Sequence, residues 1–125
     1  MKTKAIPRKE WPAFFDSFSR QHHGWLVDLE IFGPEIGVQV QEHLLALEGI
    51  TDELDETGGN TVIIMTGVKP DDHITHSVVR AKEVSVEQTD EGADAALAIK
   101  SADGTTALLR FRSAVLPEMV DAIGP

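Results

Sequence analysis

Cysteine and tyrosine are both missing from this 125-residue chain, and aromatic residues make up only 6 % of it. The lack of cysteine excludes disulfides, thiolate nucleophiles and cysteine-ligated zinc. Long apolar runs are missing too. Uninterrupted runs such as Val62 to Met65 fall far short of the ~20 residues that span a bilayer. The first residues carry charge with no apolar segment behind them, so the sequence predicts no signal peptide, no membrane partner and a cytoplasmic location. Positive charge is scarce, with 11 Lys and Arg against 21 Asp and Glu and a net charge of −10. Lys2, Lys4, Arg8 and Lys9 face only Glu10 in the first ten residues, which leaves −13 on the rest. Such a surface repels phosphate and predicts no nucleic-acid partner. Nor is there a Gly-x-Ser-x-Gly elbow, a phosphate loop or a dinucleotide fingerprint, so no cofactor is expected.

What the chain does have is enough apolar character, 42 %, for one core. The sequence predicts a single domain over residues 1–125, with 1–7 as a flexible basic arm. An amphipathic helix is expected over about Lys9 to His22, where Trp11, Phe14, Phe15 and Phe18 fall at i, i+3, i+4 and i+7. Pro12 fits in the first turn, and Gly24 suits the left-handed position that ends a helix. His22 and His23 at that end suit the macrodipole, and one ring can bond a free carbonyl.

The remainder reads as strands. Trp25, Val27, Leu29 and Ile31 alternate with Asp28 and Glu30, and a second strand begins at Val38. Ile50 to Asn60 reads as an acidic connection. Thr61 to Gly67 is apolar on both faces, the pattern of a central, covered strand. Further strands are expected at 73–79, 82–88, 95–101 and 105–112, with a helical turn over 116–123. The last two strands test register. A three-residue loop, Ala102-Asp103-Gly104, puts Leu97, Ile99, Leu109 and Phe111 on one face and Lys100, Arg110 and Arg112 on the other. A two-residue turn mixes both faces. The expected fold is α+β, an N-terminal amphipathic helix packed on a strongly curved, mostly antiparallel sheet of about seven strands, a partial barrel.

Chemistry concentrates in Pro70 to His76, which holds Asp71, Asp72, His73 and His76. Asp and His are common metal ligands and proton carriers near neutral pH. Pro70-Asp71-Asp72 reads as a turn, and a strand starting at His73 sends His73 and Thr75 one way, Ile74, His76 and Val78 the other. Two histidines on opposite faces do not grip one ion. Asp72 with His76, or Asp71 with His73, shares a face, and each pair needs a further ligand such as Glu42 or His43 from another strand. Arg110 and Arg112 together suit an anion or a partner's carboxylates, or else ion pairs with Glu83, Glu87 or Asp94.

Three stretches, Ile6 to Trp25, Pro70 to His76, and Glu87 to Asp94 running on to Pro117-Glu118-Met119-Val120, resemble the bacterial domain-of-unknown-function family 5335 over nearly the whole chain. The resemblance implies a single-domain bacterial protein and carries no catalytic or ligand residue with it. The expected function is a non-enzymatic binding or interaction module, its partner another protein or a second copy of the chain. The alternative is a metal-binding protein or metal-dependent enzyme using Asp71, Asp72, His73 and His76. An acidic nucleic-acid mimic is a third reading.

Overall fold

The alternating strand signals close into one sheet. The computed structural model describes residues 2–34, 37–54, 59–69 and 72–112, with backbone alone at 38–44, 68–69 and 72–73. Its strands are β1 (Lys2–Ile6), β2 (Leu26–Gly33), β3 (Gly37–Leu54), β4 (Asn60–Lys69), β5 (Asp72–Val78), β6 (Ala81–Gln88), β7 (Asp94–Ser101) and β8 (Thr106–Phe111). All pairings are antiparallel, in the order β1-β6-β7-β8-β2-β3-β4-β5. The sheet curls until β5 comes near β7 and β4 near β6, yet it does not close.

Two expectations are corrected here. Lys2 to Ile6 form a strand on β6, with Ile6 opposite Val84, rather than a flexible arm. Three charged or polar side chains disguised it, because an edge strand needs only one buried anchor. The acidic stretch after Ile50 is also strand, since β3 runs on to Leu54 against β4. Strand β4 itself is next to the edge, not central: Val62 and Ile64 are buried, while Ile63 and Met65 are half-buried on the other face. The expected turn over 116–123 lies outside the described residues.

The register test comes out as the segregated faces require. Ser101 N–H donates to Thr105 O at 2.7 Å across the three-residue loop, and Leu97 pairs with Leu109, Ile99 with Ala107. Gly104 takes φ +92°, which a residue with a Cβ adopts only under strain. Leu97, Ile99, Leu109 and Phe111 are all buried, and Lys100, Arg110 and Arg112 all exposed.

Helix α1 (Trp11–His22), entered by a 3-10 turn at Arg8–Glu10, links the β1 edge to the middle of the sheet. Trp11, Phe15 and Phe18 are buried in the core, and Phe14 packs against it half-exposed. Trp11 Nε1–H donates to Ile6 O at 2.9 Å, which ties helix to edge strand. At the far end α1 occupies the flank of β3 that β2 leaves uncovered. Pairing of β2 with β3 starts at Leu26–Ala46. Beyond it Gly24 N–H reaches Leu47 O at 2.7 Å, and Leu47 N–H reaches Trp25 O at 2.9 Å. Ser19 Oγ then accepts from Ile50 N–H at 2.9 Å and donates to Ile50 O at 3.1 Å. One hydroxyl thus stands in for a missing neighbour strand. Ser19→Ala leaves both Ile50 backbone groups without that partner, and a loss of about 2 kcal/mol is expected in urea unfolding, with far-UV dichroism unchanged.

Candidate functional site

Two polar groupings stand out against the apolar concave face. The first follows from how β5 ends. After Val78 the chain turns through Val79 and Arg80, the latter at φ 55°, and enters β6 without β5 and β6 pairing. This corner is tied to the β7–β8 hairpin: Ser101 Oγ donates to Val79 O at 2.8 Å, and Ala102 N–H to Arg80 O at 2.9 Å. Between β5 and the hairpin a cleft of about 300 Å³ remains. Ile31, Val78, Val79 and Ala107 give it apolar walls, and His76, Ser77, Ser101, Asp103 and Thr105 line the rest.

His76 lies opposite Ile64 in the β4–β5 pairing, half-buried on the face of Ile74 and Val78, as the pleat predicts. Asp103 Oδ1 accepts from Thr105 N–H at 2.8 Å. The Thr105 amide and hydroxyl, outweighing a small opposing effect of burial, hold the Asp103 carboxyl below the usual carboxylate range. Asp103 is therefore ionised near neutral pH.

Of the Pro70–His76 candidates, the side chain of His76 alone is described; Asp71 and the side chains of Asp72 and His73 lie outside the described residues. Glu42 and His43 are in the same position. Among the described residues no group of three or more His, Asp or Glu side chains is placed to hold a metal. Arg112 Nη1 meets Asp28 Oδ2 at 3.1 Å and Arg110 Nη2 meets Glu30 Oε1 at 3.4 Å. Their partners are on β2 rather than at Glu83, Glu87 or Asp94, because β2 flanks β8 and turns its acidic face the same way.

The second grouping was not legible as a site. His22 is fully buried at the end of α1, its ring stacked 4.7 Å from Phe111 and edge-on to Trp25 at 4.5 Å. Its Nδ1 donates to Phe18 O at 2.8 Å, the helix-end carbonyl bond its position suggested. Nε2 lies 3.1 Å from Asp94 Oδ2 on β7, off the line of a good hydrogen bond. Gln88 Nε2 donates to Asp94 Oδ1 at 2.9 Å. Both ring nitrogens face acceptors inside the core, so neither is presented to a substrate. This His–Asp pair is a fastening between helix and sheet. His22 and Asp94 are 72 positions apart in the chain, and only the β6–β7 connection brings Asp94 back under the helix end.

Burial pushes the Asp94 carboxyl up, but the facing His22 ring, the hydrogen bond from Gln88 and the charge of Lys4 outweigh it, leaving it below its ordinary value. A carboxylate lowered in the fold stabilises fully above its unfolded pKa, and that contribution is lost as pH falls through the folded value. Asp94→Asn is expected to cost about 2 kcal/mol at neutral pH. The gap from the parent protein should narrow as urea midpoints are measured at pH values falling below about 4.

Comparison with known proteins finds a matching family for the chain. The model of a family of unknown function, DUF5335, matches residues 2–119. An uncharacterised protein of Aquifex aeolicus (strain VF5) is 32 % identical over 120 residues, covering 94 % of this chain and 100 % of that protein. No solved structure matches. Among the described residues, no helix is long and apolar enough to cross a membrane.

Proposed function

Because the chain belongs to the family of unknown function DUF5335, its own geometry has to supply the functional reading, and we propose a non-enzymatic interaction module that binds through the cleft between β5 and the β7–β8 hairpin. The observation that carries this reading is the cleft itself, formed where the edge strand β5 curls over toward the β7–β8 hairpin without pairing with it. At about 300 Å³ it is at the small end of ligand sites, with room for one or two side chains rather than a large cofactor.

Its lining supports binding more than chemistry. The Ser101 hydroxyl is engaged by Val79 O, and Asp103 by the Thr105 amide. These groups hold the walls in place, as a preorganised binding surface requires. Apolar walls with a few fixed polar groups supply affinity and orientation respectively.

Amide NMR titration with a library of small neutral and charged fragments tests this. Shifts are expected to concentrate at Ile31, Val78, Thr105 and Ala107. Ala107→Leu, which fills the cleft, should remove them while leaving the spectrum of α1 in place. A cleft that stays silent across the library overturns the reading.

A further inference from the structure

An open sheet has two edges, and this one treats them differently. Among the described residues β1 pairs with β6 alone, and it carries exposed Lys2 and Lys4. Lysines on an edge strand are a standard guard against further pairing, because a charged side chain resists being covered. Among the described residues β5 pairs with β4 alone. Its described exposed positions are Thr75 and Ser77, both small and uncharged, and no Pro or Gly interrupts Asp72 to Val78. Such a stretch accepts another strand readily.

The cleft lies on the same strand. Ile74, His76 and Val78 share the concave face of β5, and His76 and Val78 line the cleft directly. A strand laid along β5 sends alternate side chains to that face, beside the cleft mouth. Among the described residues lining the cleft, Asp103 is the one ionised carboxylate and there is no Lys or Arg, and the protein as a whole carries −10. Field and lining both favour a positively charged occupant and oppose a second copy of this acidic chain.

Building on the cleft reading above, we infer that β5 takes an extended, lysine- or arginine-bearing segment of another protein as a ninth strand, with a basic side chain entering the cleft toward Asp103. Main-chain bonds to β5 supply most of the affinity, and the cleft supplies the preference for charge.

Two capped hexapeptides test this, one alternating lysine with valine and the other glutamate with valine, each titrated into the full chain by amide NMR with hydrogen exchange. The lysine peptide is expected to slow exchange in β5 and shift Asp103 and Thr105, while the glutamate peptide does neither. Asp103→Asn should weaken the lysine peptide roughly threefold, and 0.5 M salt should erase that difference. Thr75→Lys, at an exposed position outside the cleft, should abolish the β5 protection without changing the fold. Equal binding of both peptides at β5 overturns the charge assignment and leaves the cleft reading standing. Protection at β1 instead of β5, or none with either peptide, overturns the inference; the fragment titration then decides the cleft reading separately. A concentration-dependent dimer in sedimentation, lost in Thr75→Lys, makes a second copy the occupant and overturns it as well.

Discussion

The constraint behind this fold is that, among the described residues, one short helix covers the hollow of an open eight-stranded sheet. A closed barrel fills its interior from all sides, but a curled open sheet leaves an apolar concave face that water would reach. Trp11, Phe15 and Phe18 provide the cover. Each side chain of this size contributes roughly 1.5–3 kcal/mol when fully buried. A twelve-residue helix with no side-chain N-cap bond is marginal by itself, so its stability comes from this packing and its fastenings. Trp11 secures one end to Ile6, Ser19 grips Ile50, and His22 reaches Asp94. The three contacts lead to three different strands, so the helix holds the curl of the sheet as much as the sheet holds the helix.

The same constraint explains why two histidines of one chain differ so much. His22 faces the crowded end, where Phe18, Trp25 and Phe111 enclose the ring and a carbonyl and a carboxylate meet its nitrogens. A polar group buried so deeply persists only when paired. His76 stands on β5, where no α1 side chain lines the cleft and the edge strand faces the β7–β8 hairpin without pairing. One is structural because it is covered. The other borders a cleft because the cover stops short of it.

Local pattern reached most of the elements. The aromatic spacing from Trp11 to Phe18 defined the helix, and the alternation of Leu97, Ile99, Leu109 and Phe111 decided the β7–β8 register before any coordinates. The inward direction of His76 followed from the pleat alone. Edge and flank effects were hidden. Lys2 to Ile6 look like a solvated arm because an edge strand with one anchoring residue has no amphipathic signature, and β3 past Ile50 looks like a loop because its partner lies on one side only. Long-range pairs were hidden for another reason. His22 with Asp94, and Arg112 with Asp28, depend on strand order, and several orders fit the same alternation. The cleft was further from view, since it belongs to the curl rather than to any segment.

Strand order also bears on how binding and stability are divided in this molecule. The fastenings of α1 gather on β1, β3 and β7, while β5 has its neighbour β4 on one flank and the corner at Val79 and Arg80 at its end. Changes at Thr75 or Ser77 therefore touch neither the aromatic cover nor the His22–Asp94 contact, and their effects on stability and on recognition are separable. An edge that is not needed to hold the core is free to specialise in recognition, whereas an edge clamped to the helix, as β1 is through Ile6 and Trp11, is not. The lysines on β1 and the neutral hydroxyls on β5 follow this division. The clamped edge is closed to further strands by charge, and the unclamped one retains the chemistry of a docking strand.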